Sequence, residues 1–270
     1  MSVILITGAS SGIGFQAAQT LAQRGYTVYG AARRVDKLAK LQAFGVVPLA
    51  LDVTDDDSMQ QAVATILKAS GRIDVLINNA GYGSYGAVED VSIEEARRQF
   101  EVNLFGMARL TQLVLPTMRA QRSGRIINTS SMGGRLVSYM GAWYHATKYA
   151  VEAFSDALRM ETAAFGIQVA LIEPGGIKTD WGFIAADHLA ASAKGGAYED
   201  QANQAANGMR RQYGSKLLSN PQLIAKTMVK AVNARRMRPR YLVGMGAKPL
   251  VFAKTILPTR AFDAIMKNLS

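Results

Sequence analysis

The 270-residue sequence contains no cysteine and only two histidines, His145 and His188. Without cysteine there can be no disulfide framework, no thiolate metal site and no cysteine nucleophile. Two histidines are also too few for the histidine-rich sets that hold many catalytic zinc ions. We therefore expect no metal site in this protein.

Long apolar runs are missing as well, since no stretch approaches the roughly 20 residues that span a bilayer. Residues 1–7 lack the basic start and the longer apolar core of a secretory signal. We expect a soluble, cytoplasmic protein. The length suits one large α/β domain with a substantial core, so we expect residues 1–270 to form a single domain.

Acidic residues are nearly missing from the last quarter of the chain. Residues 1–200 contain 18 lysines and arginines against 19 acidic residues, whereas residues 201–270 contain 13 against the single Asp263. From about residue 245 to 270, apolar and basic residues alternate, which indicates an amphipathic extension over or near a substrate pocket. The other interpretation is weak peripheral contact with an anionic membrane surface. No motif that reads nucleic acid is present, so no nucleic-acid partner is expected.

A glycine-rich turn follows the first apolar segment. Residues 3–7 read as a buried strand, and Gly8, Gly12 and Gly14 come directly after it, before a helical pattern. Such a strand-to-helix turn presents backbone N–H groups and a helix N-terminus to a pyrophosphate. The turn therefore predicts a dinucleotide site, although its glycine spacing differs from the usual Gly-x-Gly-x-x-Gly. A structural turn without a ligand is the alternative.

Two arginines stand where the second strand, residues 27–32, ends. In a dinucleotide fold this point approaches the adenosine ribose, and a carboxylate here would bind the 2′-hydroxyl of NAD. Arg33 and Arg34 can instead pair with a 2′-phosphate. NADP(H) is therefore favoured over NAD(H), with two solvated arginines as the alternative.

Strand and helix patterns alternate along the rest of the chain, which predicts a parallel sheet covered by helices on both faces. The main helices are expected at residues 58–69, 94–118, 142–165 and 221–232. Beyond the first two strands, further strands are expected at residues 46–51, 74–77, 124–129, 167–172 and 240–244. This pattern is typical of an α/β protein with about seven strands.

Within the helix expected at residues 142–165, Tyr144 and Lys148 lie one turn apart and share a face. A phenol normally loses its proton at about pH 10, so it is a poor acid or base at neutral pH. An ammonium about 4 Å away, at an effective dielectric of about 20, favours the phenolate by roughly 4 kcal/mol. Lys148 could thus lower the pKa of Tyr144. Such pairs are common on helices, however, and the spacing alone is weak evidence.

Three further motifs decide how this pair is interpreted. The run Asn-Asn-Ala-Gly at residues 78–81 ends the fourth strand, Ser131 precedes Tyr144 by 13 residues, and a Pro-Gly pair at residues 174–175 follows the sixth strand. Together with the glycine turn, these motifs make residues 3 to about 180 resemble the classical short-chain dehydrogenase/reductase family. The resemblance implies a single-domain Rossmann-type, doubly wound parallel sheet with the strand order 3-2-1-4-5-6-7.

The resemblance also implies a reaction and the residues that perform it. Hydride would pass between a nicotinamide and a carbonyl or secondary alcohol, with Tyr144 as the acid or base. Ser131 would orient the carbonyl oxygen, and Lys148 would lower the pKa of Tyr144 and contact the nicotinamide ribose. Asn103, at a local helix distortion, would hold a water that links Lys148 to solvent. A regulator that senses NADP(H) without turnover is the alternative, although a sensor need not keep this complete set.

For the cofactor, the resemblance implies contacts along the whole edge of the sheet. Asp52 and Val53 would lie against the adenine, Asn79 would steady the central sheet, and the loop at residues 174–179 would flank the nicotinamide and the phosphates. The residues expected to bind NADP(H) are Gly8, Ser10, Ser11, Gly12, Ile13, Gly14, Arg33, Arg34, Asp52, Val53, Asn79, Ala80, Gly81, Tyr144, Lys148, Pro174, Gly175, Ile177 and Thr179.

The substrate is expected to contact Ser131, Tyr144 and Trp181. Residues 180–220 suit a mobile substrate lid, with a fixed pair of helices as the alternative. Apolar residues here and in the tail favour a small-molecule substrate that is lipophilic, such as a steroid-, retinoid- or keto-lipid-like compound. The resemblance further implies a homodimer or homotetramer, formed through the helices at residues 94–118 and 142–165.

Overall fold

In the computed structural model of the protein, which describes residues 1–268, a single sheet of seven parallel strands lies at the centre. The strands are β1 (Val3–Thr7), β2 (Thr27–Ala32), β3 (Val47–Ala50), β4 (Val75–Asn78), β5 (Gly124–Thr129), β6 (Ile167–Pro174) and β7 (Arg240–Val243). Their order across the sheet is β3-β2-β1-β4-β5-β6-β7. The predicted Rossmann-type fold class and strand order are confirmed.

The two central strands, β1 and β4, are buried along their whole length. Ile4 and Ile6 pack into the apolar core on one face of the sheet, whereas Val3 and Leu5 pack into the core on the other face. Side chains alternate between the faces of a strand with a period of two, so a continuous apolar run suits a strand covered on both sides. The ends of β1 and β4 therefore meet at the middle of the sheet edge, where a ligand can reach both of the turns that follow.

Helices cover both faces of this sheet. They are α1 (Gly12–Ala22), α2 (Ala39–Gln42), α3 (Asp56–Ser70), α4 (Ile93–Phe100), α5 (Gly106–Ala120), α6 (Ala142–Thr162), α7 (Trp181–Ser192), α8 (Glu199–Gly214), α9 (Pro221–Asn233), α10 (Ala247–Ile256) and α11 (Thr259–Asn268). Short polar side chains start several of them. Asp55 accepts hydrogen bonds from two backbone N–H groups in the first turn of α3, which explains why this helix begins before the predicted residue 58.

The helix predicted at residues 94–118 is interrupted. A π-helical turn, Glu101–Phe105, separates α4 from α5 and carries the buried side chain of Asn103. Single π-helical turns inside α-helices are rare and often lie at functional sites, because the extra residue redirects a side chain. The helix distortion expected at Asn103 is therefore present.

Residues 180–220 form a packed helical pair, α7 and α8. Gly182 permits their close approach, since a Cβ atom at this position would lie 2.2 Å from the ring of Tyr213. The contact is made by small buried side chains, namely Ala185, Ala186, Ala202 and Ala206. This arrangement matches the fixed pair that was the alternative to a mobile lid. Movement of the pair as a lid stays a prediction.

The C-terminal helices α10 and α11 fold back toward the same edge of the sheet as the glycine turn. Val251, Phe262 and Met266 pack together with Leu136, and Leu250 packs against this cluster. The amphipathic extension expected at residues 245–270 thus reaches the pocket region, although its last two residues lie outside the described part of the chain. Within residues 1–268, no helix combines the length and the apolar character needed to cross a membrane.

Candidate active site

In the turn between β1 and α1, the backbone of Gly8 lies close to that of Gly14 in α1 and to that of Ala80 after β4. Gly8 and Gly12 have φ values of 69° and 55°, in the left-handed region that glycine adopts without a steric penalty. A Cβ atom on Gly14 would lie 2.3 Å from the carbonyl oxygen of Gly8. Ser11 occupies the N-cap position of α1, but its side chain makes no capping hydrogen bond, so the first N–H groups of the helix remain available to an anion. This cradle fits a pyrophosphate.

Asn79 ties this turn to the end of β4. The backbone N–H groups of Asn79 and Ala80 both donate to Thr7 Oγ1 at 3.0 Å. The side-chain amide of Asn79 donates to the carbonyl oxygen of Thr7 at 3.1 Å. Because β1 and β4 are neighbours in the sheet, these bonds hold the two adjoining turns in register. Asn79 therefore has the position expected of a residue that steadies the centre of the sheet.

A cavity of about 1110 Å³ runs along this edge of the sheet. It is lined by each residue expected to bind the cofactor except Gly14, which is buried behind the wall against Gly8. Ser131 and Trp181, expected at the substrate, also line it. Asn103 does not line the cavity and lies one layer deeper. The structure thus brings the predicted cofactor and substrate residues to one continuous space.

Several residues of the cavity wall are not singled out by the sequence. They include Lys37, Tyr82, Tyr85, Met209 and Tyr213. Some of them lie near motifs that the sequence does reveal. Tyr82 and Tyr85 closely follow the Asn-Asn-Ala-Gly run, and Lys37 closely follows Arg34. No local signal marks Met209 or Tyr213, whose helix reaches the cavity only through its packing on α7.

Ser131, Tyr144 and Lys148 come together in the wall of this cavity. Tyr144 and Lys148 are buried and lie one turn apart on α6, and Lys148 Nζ is 5.9 Å from the centroid of the Tyr144 ring. Ser131 follows β5, and its hydroxyl is near enough to Tyr144 to influence the pKa of the phenol. Its Oγ also accepts a hydrogen bond from the N–H of Gly133 at 2.9 Å. The constellation expected from the sequence therefore exists as a spatial group.

The pKa of Tyr144 depends on its surroundings in the folded protein. Burial raises the pKa of Tyr144 to about 12, and the neighbouring Ser131 hydroxyl opposes part of that rise. Burial also lowers the pKa of Lys148 to about 8, although the nearby charge of Glu152 favours its protonated form. In this structure the pKa of Tyr144 is set by burial and by Ser131, and its lowering by Lys148 stays a prediction. Lys148 Nζ donates to the carbonyl oxygen of Thr129 at 3.0 Å, and desolvation is the largest contribution to the pKa of the phenol.

Asn103 binds the loop that follows β4. Its Oδ1 accepts a hydrogen bond from the N–H of Tyr82 at 3.0 Å, and its Nδ2 donates to the Tyr82 carbonyl oxygen at 2.9 Å. The same Nδ2 donates to Thr147 Oγ1 at 3.1 Å, next to Lys148 on α6. Asn103 thus joins the π-helical turn, the β4 loop and α6. These hydrogen bonds offset the free-energy cost of burying the side-chain amide of Asn103.

His145 has a clear structural role that the sequence does not reveal. Its Nε2 accepts a hydrogen bond from the N–H of Ser138 at 2.9 Å, so in the neutral ring Nδ1 carries the proton and donates to the carbonyl oxygen of Gly133 at 2.8 Å. Burial lowers the pKa of His145 and favours this neutral ring. The imidazole therefore fastens the loop that follows Ser131 onto α6, beside Tyr144.

An aromatic wall surrounds the phenol of Tyr144. The ring centroids of Tyr85 and Trp181 lie 5.5 Å and 5.1 Å from that of Tyr144. Trp181 also lies 6.2 Å from Tyr213 of α8. These spacings are typical of packed aromatic pairs. The ring of Tyr144 therefore lies against an aromatic part of the cavity wall.

At the other end of the cavity, Arg33 and Arg34 are exposed directly after β2, with Lys37 nearby in the wall. None of the ion pairs found among residues 1–268 involves these three side chains. Their charges are therefore not neutralised by protein carboxylates and remain available to an anionic ligand.

The parallel sheet, the glycine cradle at its centre and the Ser-Tyr-Lys group at the same edge define a dinucleotide-binding protein of the Rossmann type. A family model described as short chain dehydrogenase matches residues 2–185. The chain belongs to this family of oxidoreductases, as the motifs of the sequence indicated.

Similarity to individual proteins extends over most of the chain. A probable short-chain type dehydrogenase/reductase, VdlC of Helicobacter pylori, is 35% identical over 263 residues, which cover 97% of this chain and 96% of that protein. The NADPH-dependent 3-dehydrocapnine reductase of Ornithobacterium rhinotracheale is 33% identical, and the match covers 98% of this chain and 96% of that protein. The 3-ketodihydrosphingosine reductase of Bacteroides thetaiotaomicron is 45% identical over 179 residues, 66% of this chain and 64% of that protein.

Among solved structures, a short-chain dehydrogenase from Streptomyces avermitilis superimposes with a TM-score of 0.80 at 34% sequence identity. The match covers 99% of this chain and 94% of that one.

Proposed function

We propose that the protein is an NADP(H)-dependent oxidoreductase that transfers a hydride between the nicotinamide and a lipophilic ketone, aldehyde or secondary alcohol. The observation that carries this proposal is the position of Tyr144 between two parts of one cavity. The glycine cradle lies on one side, and the aromatic wall of Tyr85 and Trp181 lies on the other. A phenol in this position can exchange a proton with a substrate oxygen beside a bound dinucleotide.

The residues of the cradle fit this cofactor. Added Cβ atoms at Gly8 and Gly14 would collide with neighbouring backbone, so glycine permits the tight turn whose uncapped helix N-terminus would face a pyrophosphate. Arg33 and Arg34 would pair with the 2′-phosphate, which favours NADP(H), and one relative carries NADPH in its name. The bound nicotinamide would supply or accept the hydride.

The proposed catalytic residues have distinct tasks. Tyr144 would donate a proton to the developing alkoxide, and a phenol whose pKa is about 12 is protonated at neutral pH, which suits the direction of reduction. Ser131 would hydrogen-bond the carbonyl oxygen and orient it. Lys148 would contact the nicotinamide ribose and lower the pKa of Tyr144 when it turns from Thr129 toward the cofactor. Asn103 would hold the water that links Lys148 to solvent.

A lipophilic substrate is supported by the lining of the cavity beyond Tyr144. Its wall there includes Leu189, Ala205, Met209, Leu250 and Met266. One relative is named for the lipid-like 3-ketodihydrosphingosine. Trp181 would close the substrate site against Tyr144. We therefore favour a keto-lipid over steroid- or retinoid-like compounds within the lipophilic class.

Oligomer formation is supported by exposed apolar side chains on the helices expected to form the interface. Ile93 and Phe105 are exposed on α4 and the π-helical turn, and Tyr149 and Met160 are exposed on α6. A second copy of the chain would bury these residues in a homodimer or homotetramer. The expected cytoplasmic location stays a prediction.

Weak contact with an anionic membrane is supported by the surface of α10 and α11. Phe252 and Ile256 are 65% and 60% exposed on α10, and Lys248 and Arg260 flank them. An apolar patch bordered by cations suits a negatively charged lipid surface. Because Leu250 of the same helix lines the cavity, a lipophilic substrate could enter directly from such a surface.

The proposed function is tested with purified protein, NADPH or NADH, and a panel of carbonyl compounds. We expect loss of NADPH absorbance with long-chain ketones and little activity with small polar carbonyls or with NADH. Cofactor binding without turnover of any carbonyl or alcohol would instead identify a sensor. Activity confined to small polar carbonyls would contradict the proposed substrate class.

A further inference from the structure

Two buried glutamates lie close together behind Lys148. Glu152 follows Lys148 by one turn on α6 and is only 6% exposed, and Glu173, near the end of β6, is completely buried. Their carboxyl groups interact directly, and the hydroxyl of Ser130 lies beside Glu152. Neither glutamate lines the cavity. The proposed reaction as described so far assigns them no task.

Charged groups from several elements face this pair. Arg240 at the start of β7 donates from Nε to Glu152 Oε2 at 3.0 Å, and the same Nε lies 3.2 Å from Glu173 Oε1. Arg135, in the loop after β5, donates to Glu173 Oε1 at 3.3 Å. On α6, the charge of Glu152 acts on Lys148, while Asp156 shares the Arg240 guanidinium. These groups hold the glutamates in place but contact only one oxygen of each carboxyl group.

The second oxygens of the two carboxyl groups lack well-formed hydrogen bonds. Glu152 Oε1, Glu173 Oε2 and Ser130 Oγ are buried without a partner that meets hydrogen-bond geometry among residues 1–268. Two carboxylate oxygens can only accept, so two ionised groups in contact leave both oxygens unsatisfied and repel each other. One proton held between them removes both problems, because a protonated carboxyl group becomes a donor to its neighbour.

We propose that Glu152 and Glu173 form a buried proton-binding pair that acts through Lys148. Ionisation of the pair stabilises the ammonium of Lys148, which lies one turn away on α6. The inference rests on the proposed function only in that Lys148 serves the reaction. The pair takes up a proton from solvent and returns it to solvent. When it releases that proton, the negative charge on Glu152 faces Lys148. When the proton is bound, Lys148 loses this support and its ammonium is harder to maintain.

The acidities of the groups agree with this arrangement. Burial raises the pKa of Glu152 to about 7, and the charge of Glu173 adds to the rise while Ser130 and Arg240 oppose it. Burial lowers the pKa of Lys148 to about 8, against the influence of Glu152. The pKa of the carboxyl group is raised and that of the amine is lowered, so both move toward the same range of pH. Ionisation of the pair and protonation of Lys148 can therefore influence each other.

The proposal is tested by NMR titration of the full-length protein with isotopically labelled glutamate and lysine side chains, without cofactor or substrate. We expect a glutamate carboxyl signal that titrates near neutral pH and disappears in both Glu152→Gln and Glu173→Gln. The Lys148 signal, identified by its loss in Lys148→Met, should titrate at a pH lower by about one unit in Glu152→Gln. Glu161→Gln, an equal charge change at an exposed site on α6, should leave both signals unchanged.

Absence of any glutamate that titrates above about pH 6 in the wild-type protein overturns the proposal, even if the variants do not fold. So does an unchanged Lys148 midpoint in a folded Glu152→Gln variant. Neither signal depends on turnover, so failure to find a substrate would count against the proposed function and not against the buried pair. Once a substrate is known, turnover can be measured against pH. In Glu152→Gln, the loss of turnover on the basic side should shift by the same amount as the pH at which Lys148 is half deprotonated.

Discussion

Lys148 donates a hydrogen bond from Nζ to the carbonyl oxygen of Thr129 at 3.0 Å, across from α6 to the end of β5. The chain continues from Thr129 through Ser130 to Ser131, which interacts with Tyr144. The last residues of β5 therefore position both the serine and the amine relative to the phenol. The geometry of the candidate catalytic group depends on this strand end as much as on the helix that carries Tyr144 and Lys148.

Replacing Tyr144 by phenylalanine tests the proposed proton transfer. Tyr144→Phe removes the hydroxyl and keeps the ring in the aromatic wall, so we expect turnover to fall by about a hundred- to ten-thousand-fold. The affinity for NADPH, measured by fluorescence, should stay nearly unchanged. Tyr149→Phe removes a hydroxyl from an exposed tyrosine on the same helix and serves as the control. A Tyr144→Phe enzyme with near-normal turnover would rule out the proposed acid.

Replacing the two arginines after β2 tests the choice of cofactor. Arg33→Ala combined with Arg34→Ala should raise the Kd of NADPH by about ten- to a hundredfold, because charged hydrogen bonds to the 2′-phosphate are lost. The Kd of NADH, which lacks this phosphate, should not change. Arg235→Ala combined with Arg236→Ala removes an equal charge from exposed positions and is the matched control. Equal losses for NADPH and NADH would contradict the assignment.

The glycine cradle can be tested through stability. In Gly14→Ala the new Cβ atom would lie 2.3 Å from the Gly8 carbonyl oxygen, so the turn must shift. We expect a loss of about 2 kcal/mol or more in the free energy of unfolding, together with weaker cofactor binding. Gly214→Ala is the control, since a Cβ atom there meets nothing within 4 Å. Urea unfolding of both variants would measure the difference, and equal stabilities would show that the turn is not tightly packed.

The buried amine of Lys148 should make stability depend on pH. Burial lowers the pKa of Lys148 from 10.5 to about 8, so the unfolded chain binds more protons than the folded protein between these values. Stability conferred by a group with this shift rises as pH increases. Relative to Lys148→Met, the wild-type protein should therefore gain about 2 kcal/mol between about pH 7.5 and about pH 9.5. Urea unfolding at several pH values measures this gain, and a constant difference would refute the lowered pKa.

Contact of α10 with lipid can be tested by co-sedimentation with anionic vesicles. Phe252→Ser combined with Ile256→Ser should reduce binding, and high salt should reduce binding of the wild-type protein. Val88→Ser changes an exposed apolar residue that is 61% accessible on a different part of the chain and is the control. Wild-type protein that does not bind at low salt would eliminate this contact.

The sequence alone was sufficient for the features that depend on neighbouring residues. The strand-to-helix glycine turn, the helical spacing of Tyr144 and Lys148 and the alternation of strands with helices are local patterns. The resemblance to a known family then supplied the strand order, which the structure confirms. The local patterns could be predicted because short-range backbone chemistry and side-chain periodicity specify them without reference to distant parts of the chain, whereas the strand order required the resemblance.

The tertiary structure decided how far burial and distant partners alter that local chemistry. Only packing of α6 against the ends of β5 and β6 directs Lys148 to Thr129 and brings Glu152 beside Glu173. The same packing raises the pKa of Tyr144. Solvation and hydrogen bonding set the acidity of a side chain, and residues far apart in the sequence provide both. The grouping of Ser131, Tyr144 and Lys148 could therefore be predicted from the chain, whereas the acidity of these side chains depends on the fold.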